Sequence, residues 1–222
     1  MIDERFETIS YYMKTKRYAI SKMTKFVKPL DDMQLEEMQI IYSIYFNSFI
    51  SLIDYICEIL DNTIYDHCNN ILGSETNFKY VRELRNSIIH RGLDVSMAGC
   101  ELEGFNIIVP FAPKVVYNRK GEIEYQNFTD NLFQLVVLCE QVNPYIHKLC
   151  SDMNLLRYDI ITKEEILERS LNDPYIPEFA KELLKQAKID YNELNRMGKQ
   201  IHEDKIKKYF DTQDLFPKIN EV

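Results

Sequence analysis

Six consecutive residues, Arg85-Asn86-Ser87-Ile88-Ile89-His90, hold the two side chains that metal-free phosphodiester cleavage requires. A histidine titrating near neutrality can take the proton from a ribose 2′-hydroxyl, or give one to the leaving oxygen. His90 is read in that role. A guanidinium can hold the charge that gathers on the attacked phosphate with two parallel hydrogen bonds, and Arg85 is read there. Asn86 precedes His90 by four residues, so on a helix the two are neighbours and the amide can orient the imidazole or bond the RNA. Arg85 and His90 are separated by five residues. At ~100° per residue they point ~140° apart, so they share a site only if the last turn unwinds or a second subunit completes it. Arg85 also falls on the apolar side of such a helix with Phe78, Val81, Leu84 and Ile88, where a guanidinium needs a carboxylate or phosphate partner. Asp54 is a candidate.

The segment 84–92, with Asn directly after the Arg and Gly92 just past the His, resembles the signature of HEPN domains, an Arg followed after four to six residues by a His. The resemblance implies a helical bundle with the motif near a helix end. It also implies a homodimer in which two motifs form one composite ribonuclease site, and products ending in a 2′,3′-cyclic phosphate. The wording covers about nine residues, and Arg196 with His202 satisfies the same spacing without this context. In one familiar variant a Tyr stands two residues after the His and is modified by a partner nucleotidyltransferase; here Gly92 occupies that position.

The elements that must position these residues are mostly helices. Residues 5–26 read as one helix ended by Pro29, and residues 31–67 as a single long core helix with Leu35, Met38, Tyr42, Tyr45, Phe49, Leu52, Ile53, Ile56 and Leu60 at helical spacing. Gly73-Ser74 breaks the chain, and a helix over 75–91 carries the motif, with Gly92 as its left-handed cap. Segments 105–109, 114–117 and 122–125 read as a small hairpin or three-strand insert with a turn at 118–121. Helical periodicity resumes at Thr129 and is interrupted at Pro144. Thr162 and Glu165 form a capping-box pattern, Pro177 suits a first helical position, and a polar helix follows over 190–210. The expected fold is mainly α. It consists of an antiparallel bundle over 1–155 with the hairpin insert near 105–125, and a helical appendage over 156–222.

Charge and composition narrow the partners. With 27 Lys+Arg against 35 Asp+Glu the net charge is −8, so any RNA contact must be local. Thr8 to Leu30 contains no acidic residue and carries Lys14, Lys16, Arg17, Lys22, Lys25 and Lys28 interleaved with Tyr11, Tyr12 and Tyr18. Lys14, Arg17 and Lys22 there, with Arg82 and Arg91 beside the motif, are the candidate RNA contacts; a solvated helix face is the competing reading. Five scattered cysteines and four dispersed histidines form no ligand spacing, so no metal or cofactor is expected and the thiols are read as buried in a reducing compartment. No stretch approaches the ~18 uninterrupted apolar residues of a membrane span, and the start lacks a secretory pattern, which together predict a cytoplasmic protein. Three readings compete. One is a toxin or antiphage ribonuclease, homodimeric and controlled by an antitoxin or defence partner. Another is a catalytically silent module of the same shape, in which Arg85 is an ion-pair residue and His90 is only a helix-end residue favoured by the dipole. The third is an unrelated helical scaffold in which the motif is coincidence, and it predicts that Arg85 and His90 point into different environments.

Overall fold

The computed structural model describes residues 4–102, 104–160, 162–187 and 190–216, so the start Met1-Ile2-Asp3 lies outside it. It is mainly helical, as the periodicities predict, and carries two small antiparallel hairpins. Helix α1 (Glu4–Met23) packs along α2 (Asp32–Ile59), whose start is fixed by reciprocal capping between Asp31 and Gln34. The apolar face of α2, with Tyr42, Tyr45, Phe46, Phe49, Leu52, Ile53 and Ile56 all at 1% exposure or less, is the centre of the core. By length and composition α2 could cross a membrane, but 56% of its apolar window is buried inside the bundle. That burial accounts for its hydrophobicity.

The single helix expected over 31–67 is in fact two. Helix α2 ends at Ile59 and α3 (Ile64–Leu72) starts after a corner in which the Asp61 carboxylate accepts from the Thr63 N–H and hydroxyl, both at 2.8 Å. Periodicity ran through this corner because Leu60 and Ile64 both face the core, while the break is made by local side-chain bonding. The Tyr145 hydroxyl also donates to Asp61, and this bond, followed by the one from the Thr63 backbone, holds the Asp61 carboxyl below its ordinary 3.8. A depressed folded-state pKa stabilises the fold above the unfolded value and loses that contribution as pH falls through the folded one. Tyr145→Phe is therefore expected to melt below the wild type at pH 6, with the gap closing below pH 3.8. A gap that persists at pH 2–3 in melting curves would assign the effect to packing instead.

Helix α4 (Glu75–Arg91) begins at Ser74, whose hydroxyl accepts from the Asn77 N–H, and ends at Gly92, with φ +69°. A side chain is strained at that φ, so glycine there permits the stop. The chain leaving α4 is pinned to α2 by one amide: Gln39 donates to the Leu93 carbonyl at 2.8 Å and accepts from the Val95 N–H at 2.7 Å.

Four strands follow rather than the expected three. β1 (Gly99–Leu102) pairs with β2 (Ile107–Pro110), and β3 (Val115–Tyr117) with β4 (Glu124–Gln126), so the insert spans 99–126 instead of 105–125. β1 escaped the pattern because its residues are half-exposed, and Gly99 looks like a breaker. The glycine is needed because a Cβ there would sit 2.5 Å from the Val109 carbonyl oxygen.

Helices α5 (Leu132–Glu140) and α6 (Asn143–Asp152) complete the core, with Pro144 in the first turn of α6. Beyond them α7 (Lys163–Asn172) starts on the Thr162–Glu165 capping box. Pro177 stands one position before α8 (Glu178–Gln186) rather than inside it. Helix α9 (Tyr191–Phe210) returns to the bundle and packs on α1 and α6.

Candidate functional site

Because α4 is regular to Arg91, the motif's last turn does not unwind: the Leu93 N–H closes it onto the Ser87 carbonyl at 3.0 Å. Arg85 and His90 therefore leave the helix in different directions. Arg85 is 18% exposed, and its nearest acid is Asp54 of α2, whose Oδ2 lies 3.8 Å from Nη2. That is a Coulombic contact, too long for a hydrogen bond. Asp54 is engaged more closely by Arg82 at 3.0 Å and by the Tyr65 hydroxyl at 2.9 Å. The Arg85 Nε–H is buried and has no hydrogen-bond partner. An unpaired buried donor costs about 1–3 kcal/mol.

His90 is exposed and makes no hydrogen bond to a described residue; Ile89 beside it is also exposed. Asn86, one turn earlier on the same face, makes only a 3.4 Å contact to Glu83 Oε1. These three side chains thus form a loosely held set on one helix, with Arg85 on its α2-facing side.

The surrounding basic residues are mostly committed elsewhere. Arg82 sits over the Tyr65 ring at 5.2 Å and the Phe78 ring at 5.8 Å. Burial opposes its charge, but the Tyr65 hydroxyl and Asp54 together more than offset that and raise its pKa. Both terminal nitrogens of Arg91 are occupied. Its Nη1 donates to the carbonyls of Tyr117 at 2.5 Å and Asn118 at 2.9 Å, and its Nη2 to Glu83 Oε2 at 3.0 Å and Ser87 Oγ at 2.7 Å. It clamps the β3–β4 hairpin to α4, so Arg91→Ala is expected to cost about 2 kcal/mol of stability. Faster amide exchange over 115–126 would register the loss, and unchanged exchange there would refute the clamp.

The α1 residues lie on a different helix from the motif. Lys14 is exposed, Lys22 is 3.6 Å from Glu37, and Arg17 is held by Asp214 at 2.7 Å and by the Asp211 carbonyl at 2.5 Å. Lys16 is not on the surface at all. It is fully buried, donating at 2.8 Å to Glu140 Oε1 and at 2.8 Å to Asn143 Oδ1. Glu140 also accepts from the Tyr45 hydroxyl at 2.8 Å and from Asn143 Nδ2 at 2.7 Å, and Asn143 reaches the Thr212 hydroxyl at 3.3 Å. Glu140 and Asn143 also line a cavity of about 990 Å³ roofed by α9 and the segment after it. No single-residue signal announced this network, since Lys16 and Glu140 are 124 positions apart.

The alternative match, Arg196 and His202, is used structurally. Arg196 pairs with Glu193 at 2.6 Å, and His202 bonds the Leu156 carbonyl at 2.9 Å and packs edge-on against Phe6. Among the described residues no group of three or more His, Cys, Asp or Glu could hold a metal ion. No family model matches the chain, and no curated protein or solved structure matches it.

Proposed function

We propose that this chain is a cytoplasmic, metal-independent endoribonuclease of a toxin–antitoxin or antiphage defence system, acting as a homodimer of HEPN type. The observation that supports this best is the state of Arg85. Its guanidinium carries a buried, unpartnered Nε–H and lies 3.8 Å from Asp54, while exposed His90 stands in the last turn of the same helix. In the proposed reaction His90 takes the proton of a ribose 2′-hydroxyl, and that oxygen attacks the adjacent phosphorus. The bond to the 5′-oxygen of the next nucleotide breaks, and that oxygen takes up a proton. Arg85 holds the non-bridging oxygens as charge gathers on them, and Asn86 orients the imidazole. The products are a 2′,3′-cyclic phosphate and a 5′-hydroxyl.

The test is cleavage of a mixed RNA pool by purified protein in excess EDTA, with the new ends mapped. Cyclic phosphate ends that disappear in Arg85→Ala and His90→Ala support the reading; intact RNA at concentrations that populate a dimer rejects it.

A second reading, a silent dimerisation or interaction module, is favoured by the apolar surface of the C-terminal arm. There Tyr175 is 92%, Phe179 71% and Leu183 63% exposed. It predicts self-association or partner binding without cleavage.

A further inference from the structure

Beside the motif, α3, α4 and β4 border an open cavity of about 370 Å³, lined by Tyr65, Asn69, Phe78, Lys79, Arg82 and Tyr125 together with the carboxylates Glu75 and Glu83. From its chemistry we infer that this cavity is a nucleobase subsite, receiving the base of a nucleotide next to the phosphate held by Arg85. The assignment rests on the ribonuclease reading for its role in cleavage.

Three observations carry it. First, Asn69 Oδ1 is buried and has no hydrogen-bond partner. An acceptor in that condition is costly unless a ligand brings a donor, and the edges of bases carry ring or exocyclic N–H groups. Second, the walls are flat and aromatic. Tyr65 and Phe78 pack at 5.6 Å, the Arg82 guanidinium lies over both, and Tyr125 is half-buried on the opposite strand. Unstacked bases are held on such rings and on guanidinium planes. Third, the charges at the cavity are already paired: Lys79 with Glu75 at 2.6 Å, Arg82 with Asp54 at 3.0 Å, and Glu83 with Arg91 at 3.0 Å. The cavity therefore suits the neutral base, and the phosphate is left to a cation outside it.

Arg85 is that cation. It follows Arg82 by three residues, a rise of about 4.5 Å along α4, and the two share Asp54. A base in the cavity would place its own backbone over the motif.

The experiment is titration of the full chain with AMP, CMP, GMP and UMP, each followed by NMR of the Asn69 and Arg side-chain N–H signals, alongside sequencing of cleavage ends. Wild type is expected to bind with a base preference. Asn69→Leu, which keeps the volume and removes the amide, is expected to weaken the preferred nucleotide at least tenfold while its melting curve stays intact. Asn69→Asp, which exchanges the amide's donor for a second acceptor, is expected to move the preference toward guanine, whose edge offers two adjacent donors. In cleavage, both variants should redistribute the bases flanking the cut. Equal binding of all four nucleotides by wild type and Asn69→Leu, or no binding of any at millimolar concentration, overturns the subsite even if RNA is cut. RNA left intact by wild type with Asn69-dependent nucleotide binding retained overturns the ribonuclease reading and leaves the subsite standing.

Discussion

Mixed dimers made by co-expressing Arg85→Ala and His90→Ala chains are expected to cleave RNA, although each variant alone has lost ~10²–10⁴-fold, the usual worth of a positioned acid–base group. The reason is helical geometry. α4 keeps its α-helical bonding to Arg91, so five residues of rotation separate the two side chains by ~140° and ~7.5 Å of rise. Within one protomer they do not converge on one phosphate. Across a two-fold axis, Arg85 of one subunit can meet His90 of the other. A mixed dimer then keeps one intact pair of two, and random assembly makes half the dimers mixed. Cleavage should thus return to about a quarter of wild type. Arg85→Ala should not collapse the fold, since Asp54 retains Arg82 at 3.0 Å and the Tyr65 hydroxyl. Inactive singles whose mixture stays inactive would place both groups in one protomer or require all four at once. Singles as active as wild type would end the ribonuclease proposal.

Much of this frame could be read along the chain, because several helix ends obey local rules: Gly73-Ser74 breaks before α4, Gly92 stops it, Pro144 interrupts the apolar period, and Thr162 with Glu165 caps α7. Asp54 was also identifiable as a carboxylate for Arg85, since both fall on facing stripes. What escaped depends on contacts distant in sequence. The α2–α3 corner, made locally by Asp61 and Thr63, is braced by Tyr145, 84 residues from Asp61, and leaves the apolar period undisturbed. The commitment of Arg91 to the 117–118 carbonyls needed the hairpin's position, which no spacing encodes. The basic run of α1 illustrates the same limit. Counting charges along 14–28 treats Lys14, Lys16 and Arg17 alike, whereas one is exposed, one fully buried and one tied to Asp214. Local composition records how many charges a helix carries, and only packing decides which of them face water.

Lys16→Ala is expected to be the most damaging single change to stability. A buried ion pair broken from one side leaves the other charge uncompensated, at about 3–5 kcal/mol. For a chain of this size that corresponds to a fall in Tm of roughly 6–20 °C. Here Glu140 would keep its bonds from Tyr45 and Asn143 but lose the ammonium that both it and Asn143 accept from. Replacing both partners by apolar residues removes the charge problem, so the double variant Lys16→Met/Glu140→Leu should be more stable than Lys16→Ala. It should still fall short of wild type, because the Tyr45 hydroxyl loses its Glu140 acceptor and Asn143 loses Lys16 and Glu140, keeping only Thr212 of its three side-chain partners. Simple additivity of the single effects in calorimetry would show that the two groups are not coupled. The network also reaches outward: Asn143 bonds Thr212, and Arg17, next to Lys16 on α1, holds Asp214. Loss of Lys16 should therefore loosen 210–216 first, raising amide exchange there at temperatures where α2 stays protected. That order would mean that the buried pair fixes the segment behind α9 as well as the core, and simultaneous exchange of both regions would mean that it supports the core alone.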